Sequence, residues 1–281
     1  MNFWHTIQNI DRRFWYVLLL ISLFIPLIRP IGLPLSLSQE AQTFYDTVDA
    51  LQAGDIVIVS PSYSPGTEAE MWPQHAALMV HLMRKDVKII HVALVLESVM
   101  YSQRAAETYA PLYGYEYGVD HVIMPYKAGM DVVIASMGRD IHSLYTEDYF
   151  GTPTRQLPLM QQVRGIQDIA LIIDFMPGNT LVDYIRQIEG VYNIPVTGGV
   201  TAVCIPTMMP YVMSGQCRGL LGGMRGAAEY ELMVGAPGPA IGGMDAQSLS
   251  HLLIIVAIAV GNVGLLVSMS QTGRAKGGGG R

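Results

Sequence analysis

The chain has 281 residues, a formal net charge of −6 and only 14% charged residues. The charge is unevenly spread, because residues up to Leu33 carry a net +2, residues after Met269 carry a net +3, and the segment between them carries −11. An acidic segment repels phosphodiester backbones, which argues against a nucleic-acid-binding protein. The low charge content directs attention to apolar segments at the two ends of the chain.

Both ends of the chain contain an apolar segment that the sequence predicts to cross a membrane. The first segment, 14–33, is uninterrupted as far as Ile25 and then meets Pro26, Arg29 and Pro30. The second, 247–269, has no charged side chain after Asp245 and is long enough for about 30 Å of hydrocarbon. A cleaved signal peptide is the alternative for the first segment, although no small-residue cleavage motif follows it.

Basic residues flank the two spans on their outer sides: Arg12, Arg13, Arg274, Lys276 and Arg281. The stretches 34–83 and 226–247, on the inner sides, contain no Lys or Arg. By the positive-inside rule, we expect residues 1–13 and the Gly-rich basic tail 270–281 to be cytoplasmic. The sequence therefore predicts a cell-membrane protein with both termini in the cytoplasm and an extracytoplasmic central domain.

The central domain, 34–234, alternates strand-like and helix-like patterns. Apolar or β-branched runs predict strands at 55–60, 87–95, 121–126, 131–136, 168–175 and 194–206. Helical patterns lie between them at 38–52, 73–85, 98–112, 139–146, 157–164, 179–190 and 207–234. This alternation predicts an α/β fold, a Rossmann-like or flavodoxin-like three-layer domain with a mostly parallel sheet, flanked by the N-terminal and C-terminal transmembrane helices. A Gly/Pro linker, 235–246, leads into the second span, which Asp245 or Ser248 is expected to cap.

Polar residues that follow the predicted strands are candidates for ligand binding, because open α/β sheets bind ligands beyond the carboxyl ends of their strands. These candidates are Ser62, Ser64, Thr67, Arg139, Asp140, Asp174, Asn179, Thr207 and Gln216. The alternative for each of them is a helix cap or a turn residue.

Asp174 is the candidate catalytic residue, because a carboxylate at the end of a buried strand must be hydrogen-bonded or paired. It is suited to act as a general base, or equally to hold the next helix in place. The sequence contains no phosphate loop, dinucleotide fingerprint, nucleophile elbow or Cys/His metal spacing. We therefore predict no cofactor and no metal, and we expect the histidines at 75, 81, 91 and 121 to be hydrogen-bonded core or edge residues.

Small residues suggest two places of close helix packing. Gly219, Gly223 and Gly226 allow either tight packing onto the sheet or a subunit interface. In the second span, Ala257 and Gly261 form a small-xxx-small pair beside Asn262, a polar group that needs a partner in hydrocarbon. These features predict a homo-oligomer or a complex with another membrane protein. Cys204 and Cys217 are expected to be buried thiols, with a disulfide as the alternative.

The sequence therefore predicts a two-span membrane protein that presents an acidic Rossmann-like domain at the bilayer surface. Because no catalytic constellation is recognisable, the expected role is a non-catalytic ligand-binding or assembly module. The alternative is a membrane-anchored hydrolase or transferase that uses Asp174 with the Ser62/Ser64 loop.

Overall fold

The structure is a computed structural model that describes residues 11–277. The predicted segments 1–13 and 270–281 therefore lie partly outside the described residues. The chain divides into two compact units. One is Pro34–Ile241, and the other combines the chain up to Leu33 with the chain from Gly242 onwards.

The unit Pro34–Ile241 is built on a six-stranded sheet in which every neighbouring pair is parallel and the strand order is β3-β2-β1-β4-β5-β6. The strands are β1 Ile56–Pro61, β2 Lys88–His91, β3 His121–Ile123, β4 Ile169–Met176, β5 Val196–Val200 and β6 Leu220–Gly222. The predicted α/β class with a parallel sheet is confirmed. The order is that of the Rossmann-type doubly wound sheet and differs from the flavodoxin-like order.

Helices of the unit Pro34–Ile241 cover both faces of this sheet. The α-helices of the described residues, in chain order, are α1 Arg12–Ile28, α2 Gln39–Asp49, α3 Glu68–Arg84, α4 Ser98–Tyr113, α5 Met130–Arg139, α6 Ile141–Leu144, α7 Pro158–Gln162, α8 Thr180–Tyr184, α9 Gly190–Tyr192, α10 Ile205–Met213, α11 Gly223–Val234 and α12 Pro239–Gly277. A π-helical turn, Ile185–Glu189, joins α8 to α9. Of these, α1 and nearly all of α12 belong to the other unit.

The period of two along a strand divides the core between the two faces. In β1, Val57 and Val59 pack with α2, α3, α4 and α11, whereas Ile56 and Ile58 pack with α5, α8 and α10. All six residues of β1 are buried, as expected for a central parallel strand.

Two predicted elements are wrong in type. The run 131–136, predicted as a strand, belongs to α5, in which Val133, Ile134 and Met137 are buried at helical spacing. The stretch 207–234, predicted as one helix, is interrupted by β6, which Gly219 precedes with a φ of +91°. The run 131–136 and the strand segment Leu220–Gly222 are short and apolar, so their periodicity does not distinguish helix from strand; packing against the sheet decides the outcome.

The two ends of the chain contain one helix that meets the length required for a membrane crossing, not the two predicted. Within the described residues, only Pro239–Val267, at 29 residues, is long and apolar enough, by length and composition alone. Helix α1 has 17 residues and ends before Arg29 and Pro30. Because α12 begins at Pro239, two thirds of the predicted linker 235–246 is helical as well.

In this terminal unit, Asp245 holds the chain that follows α1. Its carboxylate accepts the backbone N–H groups of Ile31 (2.7 Å), Gly32 (2.8 Å) and Leu33 (2.9 Å). The hydroxyls of Ser22 on α1 and Ser250 on α12 lie 3.3 Å apart. Asp245 and Ser248 both lie inside α12, so neither caps it as predicted. The role of Asp245 is to join α1 and α12.

Candidate functional site

The carboxyl ends of β1 and β4 form the topological switch point of the sheet, where doubly wound proteins bind ligands. Ser60 on β1 lies opposite Asp174 on β4 in the strand register. The loop after β1 brings Ser62 to this point, and the N-terminal residue of α8, Thr180, approaches from the loop after β4. The sequence therefore places hydroxyls from two loops around one carboxyl group.

These four side chains form a closed hydrogen-bonded cluster, which we call the Asp174 cluster (Ser60, Ser62, Asp174 and Thr180). Asp174 Oδ1 accepts the Ser62 hydroxyl at 2.7 Å, and Oδ2 accepts the Thr180 hydroxyl at 2.5 Å. The hydroxyls of Ser60 and Ser62 are 2.9 Å apart. All four residues are buried, and Asp174 is completely so. Both carboxylate oxygens thus have donors from within the fold.

Burial changes the protonation of this carboxyl group. Desolvation raises the pKa of Asp174 from 3.8 to about 7, against the opposing effect of the hydroxyl hydrogen bonds from Thr180 and Ser62. The group therefore changes its charge near neutral pH. A carboxyl group of this kind is suited to proton transfer only where a substrate can reach it.

Of the other predicted ligand-binding residues, only Ser62 forms a hydrogen bond with Asp174 in the described part of the chain. Thr67 donates its hydroxyl to the Ser64 carbonyl at 3.2 Å, which is a local turn contact. The amide of Gln216 accepts the Ser214 hydroxyl at 3.1 Å. Asn179 and Thr207 are exposed. No hydrogen bond joins any of these residues to Asp174 within the described part of the chain.

Arg139 and Asp140 lie near the amino-terminal ends of the strands, at the edge of the sheet opposite to the Asp174 cluster. The reason is that 131–136 belongs to α5, a helix that runs back from the carboxyl end of β3. They line a groove with residues of the segment 155–164, which leads into the start of β4. At this edge the Lys88 ammonium, on the first residue of β2, donates to the Gln162 amide at 2.9 Å. The expectation that Arg139 and Asp140 follow the carboxyl end of a strand is therefore wrong.

A second buried polar group, on the α3 side of the sheet, consists of three histidines. The rings of His75 and His91 lie 6.5 Å apart between centroids, and those of His91 and His121 lie 6.2 Å apart. The Tyr63 hydroxyl is 3.1 Å from Nδ1 of His75. Nε2 of His75, both ring nitrogens of His91 and Nδ1 of His121 are buried without a hydrogen-bond partner among the described residues.

Desolvation keeps these histidines neutral. It lowers the pKa of His75 from 6.5 to about 3 and that of His91 well below its ordinary value. The sequence predicts hydrogen-bonded histidines. This is correct for His81, whose Nδ1 lies 2.8 Å from the Tyr230 hydroxyl, but wrong for His91, whose ring nitrogens have no partner among the described residues. The sequence signal that could have indicated this histidine group was the placement of His91 and His121 in two predicted strands, which are neighbours in the sheet.

The glycines predicted to allow close packing do so inside their own domain. A Cβ atom on Gly219 would lie 2.2 Å from the backbone nitrogen of Phe44 on α2, and one on Gly226 would lie 2.9 Å from the backbone of Leu221 on β6. A Cβ on Gly223 would lie 2.9 Å from Ala202. An additional role at a subunit interface stays a prediction for all three.

In α12, the predicted interface residues are open to a neighbour. Asn262 is exposed, and the position of a Cβ on Gly261 has no atom of the described chain within 4 Å. Ala257 is half-buried. The two cysteines, Cys204 and Cys217, are free thiols. The side chains of Cys204 and Cys217 contact the carbonyls of Pro177 and Gly219, respectively.

The residues that the structure describes contain no group of three or more His, Cys, Asp or Glu side chains placed to hold a metal ion. Comparison of the chain with protein-family models, with curated proteins and with solved structures found no match.

Proposed function

We propose that this protein is a membrane-anchored, non-catalytic α/β module that binds a ligand or a partner through its surface. Two features support the proposal: the apolar exposure of the terminal helices and the closed Asp174 cluster. The closed Asp174 cluster is the observation on which the proposed absence of catalysis depends.

The apolar exposure of α12 supports membrane anchoring. Large apolar side chains along it are exposed in the isolated chain, among them Leu252, Ile255, Ile258 and Leu266. A water-soluble protein rarely exposes a continuous apolar surface of this length, whereas a bilayer covers it.

Helix α1 is proposed as the second crossing, as the sequence predicts. Its 17 residues span about 25 Å, a few Å less than a typical hydrocarbon core. Local thinning of the bilayer accommodates such a mismatch at modest cost, and Arg29 extends its side chain to the interface. The exposed side chains of Phe14, Leu20 and Phe24 fit a lipid environment.

The closed Asp174 cluster argues against catalysis at the switch point. Donors from Ser62 and Thr180 occupy both carboxylate oxygens, and the cavities described among residues 11–277 are lined by other residues. A buried carboxyl group with internal donors joins β1, β4 and α8 rather than meeting a substrate. The alternative, a hydrolase or transferase that uses Asp174 with the Ser62/Ser64 loop, is favoured by one observation, the pKa of Asp174 near 7.

Alkaline carbonate extraction of cell membranes tests the anchoring. We expect the full chain to stay in the membrane pellet. A variant with Ile255→Arg and Ile258→Arg in α12 together with Leu20→Arg and Phe24→Arg in α1 is expected to be released, because arginine near the middle of a span costs roughly 3 kcal/mol per residue. The matched control, Val203→Arg, adds a charge at an exposed position of the other unit and should leave retention unchanged. Release of the unaltered chain would contradict the proposal.

Thiol labelling of intact cells tests the orientation. Ser214→Cys, an exposed position, is introduced together with Cys204→Ser and Cys217→Ser. A membrane-impermeant maleimide should label this variant without permeabilisation if the domain is extracytoplasmic. Labelling that requires permeabilisation would place the domain in the cytoplasm and reverse the predicted orientation.

A further inference from the structure

A groove at the amino-terminal edge of the sheet gathers three arginines. Arg139 ends α5, Arg155 lies in the short turn Thr154–Gln156, and Arg164 precedes β4. The groove has a volume of about 580 Å³, and all three side chains are exposed. We refer to it below as the arginine groove.

The three guanidinium groups have no hydrogen-bond or ion-pair partner among residues 11–277. The ion pairs that the structure does contain engage other basic residues, such as Arg104 with Glu68 and Arg225 with Glu229. Three like charges at one groove repel one another, and no carboxylate of the described chain forms an ion pair with any of them. A bound anion would remove this repulsion.

Two carboxylates that are close in sequence to these arginines accept hydrogen bonds from the backbone. Asp140 lines the groove, but its Oδ1 accepts the backbone N–H groups of His142 (3.0 Å) and Ser143 (3.1 Å). Asp168 Oδ2 accepts the backbone N–H groups of Arg164 (2.7 Å) and Gly165 (3.2 Å). Both groups fold the loops that carry the arginines and leave the guanidinium groups free.

The positive groove stands out against the charge of its domain. The segment between Leu33 and Met269 carries −11, and residues of this acidic segment supply the three arginines. The net negative charge of the domain repels anions elsewhere on its surface. A local cluster of guanidinium groups therefore attracts anions at one place, and the arrangement of these groups selects among anions by geometry as well as by charge. The planar fork of arginine matches the oxygen pairs of a phosphate group better than those of small monovalent anions.

We propose that the arginine groove binds a phosphate group, carried either by a small soluble molecule or by a lipid headgroup. Its volume lies within the range of small-molecule sites. The inference goes beyond the proposed function, since binding in the groove does not require membrane insertion. Failure of the carbonate experiment would therefore leave it standing, and failure of the binding experiments below would leave the anchoring standing.

Calorimetric titration of the full chain in neutral detergent with inorganic pyrophosphate tests the soluble source. We expect saturable binding that weakens as salt is added. A triple variant, Arg139→Gln, Arg155→Gln and Arg164→Gln, should bind at least tenfold more weakly. The control Arg218→Gln removes one exposed arginine elsewhere and should bind as the unaltered chain does, whereas Arg155→Gln alone should already weaken binding. Thermal unfolding of each variant verifies that it is folded.

Native mass spectrometry with added phosphatidylglycerol or phosphatidylcholine tests the lipid source. If the phosphate belongs to an anionic headgroup, the unaltered chain retains more phosphatidylglycerol than phosphatidylcholine, and the triple variant loses this preference. Binding of either source that depends on the three arginines supports the proposal. It is overturned if the chain binds neither pyrophosphate nor phosphatidylglycerol preferentially, or if the triple variant binds as well as the unaltered chain.

Discussion

At the scale of single residues, substitutions of Asp174 test whether the Asp174 cluster has a structural role. Asp174→Ala removes the acceptor of two buried hydroxyls, and we expect it to lower the free energy of unfolding by roughly 1–3 kcal/mol. Asp174→Asn keeps one acceptor and adds a donor, so it should lose less than half of that amount. Denaturant unfolding of the full chain in detergent measures both. Equal, large losses for both variants would mean that the charge itself holds the cluster.

Asp174 and His75 should make opposite contributions to the pH dependence of the free energy of unfolding. The pKa of Asp174 is raised by burial from 3.8 to about 7, so its contribution to stability is full below pH 3.8 and is lost as the pH rises through 7. The pKa of His75 is lowered by burial from 6.5 to about 3, so its contribution is present above pH 6.5 and is lost as the pH falls through 3.

The melting temperatures of two variants between pH 4 and pH 8 test these opposite slopes. Relative to the unaltered chain, Asp174→Asn should gain stability as the pH rises. His75→Phe should gain stability as the pH falls, whatever constant loss comes from the unpaired Tyr63 hydroxyl. Each variant is the control of the other, and melting curves that stay parallel to those of the unaltered chain would contradict the assigned protonation states.

At the scale of elements, two glycines that precede β6 allow the cost of a steric collision to be measured apart from the cost of a positive φ. Gly219 has a φ of +91°, and a Cβ there would collide with the backbone of Phe44 on α2. We expect Gly219→Ala to lower the free energy of unfolding by more than about 3 kcal/mol, since neither backbone can yield. Gly215, with a φ of +77° and open space around it, is the control. Gly215→Ala should cost about 1 kcal/mol from backbone strain alone.

Unfolding measurements of both variants, with the oligomeric state recorded beside them, also bear on the predicted subunit interface. Loss of stability in Gly219→Ala monomers assigns this glycine to packing between α2 and β6. A variant that folds normally but changes its oligomeric state would assign it to contacts between chains.

At the scale of the whole molecule, the sequence predicts the α/β class and the cluster partners Ser62 and Asp174, because buried parallel strands leave unambiguous apolar runs. It does not distinguish helix from strand at 131–136, where only contact with the sheet decides, and this error misplaced Arg139 and Asp140. The arginine groove could not be predicted for the same reason. Arg155 and Arg164 come from loops whose meeting with α5 depends on the tertiary fold.

Assembly through α12 is the remaining expectation at this scale. Asn262 is a polar side chain on an apolar helix, and the open space at Gly261 allows a second helix to approach closely. We expect native-membrane crosslinking to give dimers or larger species of the unaltered chain, and Gly261→Leu with Asn262→Leu to reduce them several-fold. Ile258→Leu, an exposed apolar exchange in the same helix, should leave them unchanged. Because hydrocarbon supplies no hydrophobic driving force between helices, close packing at Gly261 and a hydrogen bond from Asn262 are what α12 offers a second copy, and a crosslinked species that persists in the double variant would assign assembly to another part of the chain, α1 or the α/β domain.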